Sequence, residues 1–285
     1  MPDTNRGGAP EPARAALEAF LRLTAEAPGP TPGRSRPRPH LEVMATLRAL
    51  SLFMLRGLAP RFFTDAGLGR LTTRAIRDVR HVSSAVGLDV PPTLGMSRID
   101  AWYLRRAAGI EGSEPPADAL GDYLLHLRQS GYPVHAWLIG EMSRQLGLRV
   151  ALDFGDSPFR DAPLDARLYW LTHLFLLETG FLQRPLAMTP VWDSRAADLV
   201  SRVSWLIERG QVDLAAEAAV CLQLAGRGAS IAHQRLSSFL CARQSPDGAV
   251  RSTKVGDDPA YERAHDTAAA LLALAGAGEG QALPG

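Results

Sequence analysis

The sequence predicts an all-α fold of stacked helical hairpins, closed into an α/α toroid or left open as a solenoid. Three observations carry this. Apolar residues recur at three- and four-residue steps in almost every segment. Nearly every such segment stops at a glycine, the residue that best takes the left-handed turn after a helix. No stretch alternates long enough for a strand beyond the short "LRVALDF" at 148–154.

The elements follow in order. Residues 1–10 are polar, and "ARAALEAFLRLTAEA" (13–27) clusters Leu17, Phe20, Leu21 and Leu23 at helical spacing. "PGPTPGRSRPRPH" (28–40) cannot be a helix or strand interior, because its prolines lack donors and fix the backbone. Helical periodicity then runs through 41–59, 72–87, 97–109, 118–131, 134–147, 165–180, 195–210, 213–226, 229–244 and 262–276. Asp165, Asp198, Asp213 and Ser230 stand where N-caps are expected. "QSPDG" at 244–248 carries the residues of a tight turn. The expected organisation is a mobile N-terminal segment (1–40) with one helix and a Pro-rich linker, a single helical domain (41–275) and a flexible tail (276–285). No sequence repeat of fixed length is present to name a TPR or HEAT array.

Composition narrows the function classes. A net charge of +1 and a pI near 7.9 give no bulk attraction to nucleic acid or to a membrane surface. Lys254 is the sole lysine among 31 basic residues, which reflects a GC-rich coding bias rather than phosphate recognition. Two cysteines, Cys221 and Cys241, do not make a disulfide scaffold. The first fifteen residues hold no apolar signal segment, and no apolar run reaches spanning length. A cytoplasmic protein without a membrane partner is expected. There is no phosphate-binding glycine loop, no G-x-S-x-G elbow and no dinucleotide fingerprint.

Three places carry candidate chemistry. His173 sits within "YWLTHLFLLETG" among leucines and a phenylalanine, with Glu178 closing the segment. A buried imidazole there needs a partner, either a backbone carbonyl or a ligand. Glu217 and Cys221 are four residues apart on one face of an Ala/Leu helix, where a single cation would satisfy both carboxylate and thiolate. His265 and Asp266 stand at the expected start of the last helix, where a protonated imidazole is disfavoured by the helix dipole. His173, Glu217, Cys221 and His265 therefore form a candidate zinc ligand set. Asp266 would orient His265 and Glu178 would serve as base or further ligand. Each site also has a plain reading: core histidine, core cysteine, solvated glutamate, helix cap. His126 and His135 are candidates to face a central space, while His40, His81 and His233 are expected at the surface. The aromatic residues Trp102, Tyr103, Tyr123, Trp137, Tyr169 and Trp170 are expected in the core or lining a cavity.

The segment from about 166 to 275 resembles repeats of the α/α-toroid superfamily of terpenoid cyclases and protein prenyltransferase β subunits. "QSPDG" is similar to the Gln/Asp-Gly turn between their helix pairs, with Ala249 where they carry tryptophan. "AHDTAAALLALA" resembles their histidine–threonine segment, in which the histidine can bind zinc; that position here is His265, and their cysteine ligand would correspond to Cys221. "LTH…ETGF" also resembles an uncharacterised bacterial domain family with a Thr-His helix and a nearby acid, here Glu178. The resemblance implies a metal-dependent enzyme of bacterial specialised metabolism, with a mononuclear zinc acting as Lewis acid on a small-molecule or peptide substrate. Iron or copper on the same centre would imply oxidative chemistry instead. The rival class is a non-enzymatic helical interaction protein.

Overall fold

The computed structural model describes residues 10–25, 39–64, 66–110, 117–147, 159, 161–251 and 258–276. Among the described residues the chain is all-α: eleven α-helices, two 3-10 turns and no strand. The one extended pairing is an isolated antiparallel bridge, Gln244 to Val250. The helices are α1 (Glu11–Leu23), α2 (Pro39–Leu58), α3 (Ala66–Asp78), α4 (Pro92–Ala107), α5 (Ala117–Gln129), α6 (Pro133–Gln145), α7 (Leu164–Glu178), α8 (Pro190–Glu208), α9 (Val212–Leu224), α10 (Ile231–Arg243) and α11 (Pro259–Gly276). None is long and apolar enough to cross a membrane. The expected "LRVALDF" strand, most of the Pro-rich linker and residues 277–285 of the expected tail lie outside the described residues.

Glycine terminates helices as expected. Gly109, Gly131, Gly147, Gly180, Gly210 and Gly226 follow helix ends with φ between 57° and 89°. Helix starts differ more from expectation, and proline is the reason. Six helices carry a proline in the first turn, where its missing N–H is no loss: α1, α2, α4, α6, α8 and α11. Thr189 caps α8 by accepting from Trp192 N, so Asp198 lies inside that helix and does not cap it. Ser230 does cap α10, accepting from His233 N. Asp213 is not a cap: Gln211 is, and Asp213 belongs to the first turn of α9.

The helix expected to reach Gly87 ends earlier, at a 3-10 turn over Val79–His81. Tertiary partners take its carbonyls. Arg105 Nη1 donates to Val79 O at 3.1 Å and Val82 O at 2.7 Å, and Arg98 Nη1 donates to Ala85 O at 2.9 Å. Arg98 Nε also pairs with the mostly buried carboxylate of Glu42 at 2.9 Å.

The chain divides into two compact units. The first comprises Met1–Leu23, Met54–Arg70 and Glu178–Gly285; the second comprises Thr24–Phe53 and Leu71–Leu177. Within the second, α6 packs against α4 and α5, and α4 against the Val79–His81 turn. Within the first, α1 packs on α11, α11 on α9, and α9 on both α8 and α10.

α1, which packs on α11, buries one face. Ala13, Ala16, Ala19 and Phe20 are all buried. The turn after α10 fastens the helix further. Gln244 Nε2 donates to Pro12 O at 2.8 Å, and Arg22 donates to Asp247 O. Gly248, at φ 83°, comes so near that a Cβ there would lie 2.3 Å from Ala15 O. Phe20→Ala should therefore destabilise the chain by about 3–5 kcal/mol in urea unfolding; an unchanged midpoint would mean that α1 is not docked.

Candidate metal centre

Two helices of the first unit build the site. α9 is almost wholly buried, and its Val/Ala/Leu sequence leaves Asp213 as the one acid among its buried residues. α11 buries an alanine- and leucine-rich face that includes Asp266 and Thr267. The helix begins at Pro259, capped by Asp258, whose Oδ1 accepts from Ala260 N and Tyr261 N at 3.1 Å each. His265 and Asp266 thus stand well inside the helix, and the capping reading is corrected. A mid-helix carboxylate has no orphan backbone N–H to accept from.

The packing of α9 on α11 brings Asp213, His265 and Asp266 together, with one ligand atom of each within 4.8 Å of the others. His265 Nδ1 lies 3.6 Å from Asp213 Oδ1 and 3.9 Å from Asp266 Oδ1. The aspartate side chains are 3% and 1% exposed, the imidazole 30%. Asp266 Oδ1 is buried and accepts no hydrogen bond. The two separations are longer than direct hydrogen bonds. Around a zinc ion with bonds of roughly 2.1 Å, tetrahedral ligand atoms stand about 3.4 Å apart. Both separations exceed that spacing, so the three groups would have to draw in to share such an ion. Three ligands on a four-coordinate ion would leave one position open, and the imidazole, 30% exposed, is the member nearest solvent. The Tyr261 ring lies against His265, centroids 5.6 Å apart.

The other expected ligands are placed elsewhere. His173 lies in the second unit, buried on α7. Its Nδ1 donates to Tyr169 O at 2.8 Å, and its ring stacks on Tyr169 with centroids 4.1 Å apart. Glu217 and Cys221 lie on α9, one and two turns beyond Asp213 on the same face. Neither belongs to the group of close ligand atoms. Burial, and secondarily the charge of Glu217, push the Cys221 thiol well above the usual range, so it is held protonated. Both cysteines are free. Glu178 is exposed at the end of α7, and its carbonyl accepts from Arg184 Nη2 at 2.9 Å.

Asp213 is the member that sequence reasoning assigned to another task. It shares a face with Glu217 and Cys221, and that i, i+4, i+8 stripe was the available signal. His135, half-buried on α6, lies 3.1 Å through Nε2 from the Tyr169 hydroxyl, and His126 is half-buried on α5. Of the aromatic set, Trp102, Tyr103, Tyr123 and Trp137 are buried. Trp137, Phe159 and Trp170 pack their rings on one another.

His233 is not at the surface. It is 2% exposed, and its Nε2 lies 2.8 Å from Gln223 Nε2, which also donates to Ala273 O at 2.6 Å. An amide nitrogen only donates, so Nε2 of His233 must accept, and the ring is neutral with its proton on Nδ1. The amide thereby joins α9, α10 and α11. Gly276 keeps this arrangement possible, since a Cβ there would fall 2.0 Å from Gln223 Oε1.

The chain is an all-α protein with a buried carboxylate–imidazole cluster between two helices. Residues 52–274, well over half of the chain, match the family described as Domain of unknown function (DUF6895), and the chain belongs to that family. No curated protein and no solved structure matches it.

Burial, the largest influence, holds the His233 imidazole below its ordinary value of 6.5. The unfolded chain therefore takes up that proton first. The stability this group contributes is complete above 6.5 and is lost as pH falls below it. His233→Gln should flatten the dependence of unfolding free energy on pH just below 6.5; equal slopes for the two proteins would refute a buried neutral ring. In a thiol-labelling time course, Cys241 should react in the native protein and Cys221 only on unfolding. Labelling of both at one rate would contradict the burial of Cys221.

Proposed function

We propose that the chain is a metal-dependent enzyme with a mononuclear centre of Asp213, His265 and Asp266, zinc acting as Lewis acid. The observation that carries this is the Asp266 carboxylate, 1% exposed, with an oxygen that accepts no hydrogen bond and faces a second carboxylate and an imidazole. An ionised carboxylate in that setting is penalised by several kcal/mol, at order of magnitude, unless a cation shares it. One nitrogen and two oxygens suit zinc, and iron(II) equally in donor type. His173 stands outside this centre, because the Tyr169 carbonyl already satisfies its Nδ1. Glu217 and Cys221 stand beside it on α9; Glu217, half-buried, replaces Glu178 as the acid placed to move a proton near the open position. A bound metal would polarise a substrate oxygen or lower the pKa of a bound water. A small-molecule or peptide substrate reaching the His265 side is in keeping with the α/α-toroid resemblance of residues 166–275.

Metal analysis of the purified full chain, expressed with zinc and iron supplied, should find about one equivalent per chain, in keeping with a single three-ligand site. Asp213→Asn, His265→Ala and Asp266→Asn should each lose most of it, and His173→Ala should keep it. The stability of Asp266→Asn should change sign with the metal. In chelator the variant should be the more stable protein, by on the order of 1 kcal/mol, because a buried charge is gone. With zinc the wild type should be the more stable. A wild type without stoichiometric metal, and with no crossover, would leave a helical interaction protein as the reading.

A further inference from the structure

The residue after Asp266 has bonds that the metal centre does not use. Thr267 is fully buried. Its hydroxyl donates to Arg263 O at 2.7 Å and accepts from Val250 N at 3.1 Å. The first bond lies within α11. The second leaves the helix and reaches the turn that follows α10. That turn is closed on itself: Ser245 N donates to Ala249 O, and Gly248 N to Ser245 O, each at 2.8 Å. Asp247 accepts from Ser245 Oγ at 2.7 Å and Ala249 N at 3.2 Å, and pairs with Arg263 of α11 at 2.7 Å. Gln244 and Arg22 fasten the same turn to α1. The turn is a fixed point, and Thr267 is where α11 is bonded to it from the inside.

Helix geometry makes this bond bear on the centre. Successive residues are about 100° apart around the axis, so His265 and Thr267 flank Asp266 on opposite sides. A rotation of α11 carries His265 and Asp266 together across Asp213, which α9 holds separately. At a ligand atom about 6 Å from the axis, a 20° rotation is a displacement of about 2 Å, an order of magnitude beyond the roughly 0.2 Å tolerance of a metal–ligand bond. Where α11 packs through alanines rather than through Leu271, Leu272 and Leu274, hydrophobic contact resists such rotation weakly, because alanine presents nearly the same small knob at every angle. The Thr267–Val250 bond, with the Arg263–Asp247 pair one turn away, resists it directionally.

We infer that Thr267 is a positioning residue for the Asp213–His265–Asp266 centre, setting the rotation of α11 by tying it to the Gln244–Val250 turn. The inference rests on the metal reading above. Zinc affinity of the full-length chain, measured by competition with a chromophoric chelator, tests it. Thr267→Val keeps the shape and leaves Val250 N–H without its acceptor; zinc binding should weaken about 10- to 100-fold, as for other outer partners of metal ligands. Thr267→Ser restores the acceptor and should bind within about twofold of wild type, well inside that range. Ser230→Ala, which removes the α10 cap, should lower stability with zinc affinity unchanged. A wild type that binds zinc with Thr267→Val binding equally well overturns the positioning role alone, as does Ser230→Ala weakening zinc as much as Thr267→Val. A wild type that binds no zinc overturns the metal reading and this role with it.

Discussion

Alanine at the α9–α11 interface is the constraint on which the rest of the first unit depends. α9 buries Ala215, Ala216, Ala218 and Ala219, and α11 carries the buried Ala270 and Ala273 on the same side of the helix as Asp266. Such faces let two helices approach at the short end of the usual interaxial range of about 8–10 Å. A glutamate, lysine or arginine beside so narrow an interface can extend its stem and keep its charge wet. An aspartate cannot, having a single methylene. Asp213 and Asp266 are therefore buried because they are short, while Glu217, one turn from Asp213 on the same helix, stays half-buried. The packing that closes the interface is the same packing that gathers the carboxylates.

Helix existence was legible in the sequence because period and glycine stops are local. Helix starts were not, since a proline reads as a break as readily as a first-turn residue. Thr189–Pro190 and Asp258–Pro259 are each a cap followed by a first-turn proline, a signal present in the letters. Missing the second placed His265 and Asp266 at a helix end, and their depth inside α11 was lost with it. His265 and Asp266 were still singled out, because an imidazole beside a carboxylate before a run of alanines is chemically odd wherever the helix begins. Asp213 was visible only as a cap, and its pairing with α11 is a tertiary fact that no local pattern contains. His233 looked exposed because its sequence neighbours are polar; its burial comes from Gln223, ten positions away on another helix.

The second unit meets the same problem of buried polarity with backbone partners. Arg105 is 3% exposed, and Nη1 is taken by two carbonyls at the end of a 3-10 turn. The negative end of the preceding helix supplies a counter-charge, and burial lowers the guanidinium's pKa from its ordinary value. His173 is handled likewise, through a carbonyl one turn back on its own helix and a tyrosine ring. The second unit meets its buried imidazole and guanidinium with main-chain dipoles, whereas the first sets two aspartates beside an imidazole.

The docking of α1 on α11 joins residues very far apart along the chain: Gln244 and Pro12 are separated by 232 positions, and Arg22 and Asp247 by 225. A ribosome makes α1 early and α11 late. At a synthesis rate of about 5–20 residues per second, the alanine and phenylalanine face of α1 waits for ten seconds or more, on the order of a chaperone encounter, before its partner exists. Closing so long a loop is also slow relative to local helix pairing. The nascent chain thus carries an uncovered apolar strip while the residues between α1 and α11 are made. The first unit becomes a finished object only when one of its last helices arrives.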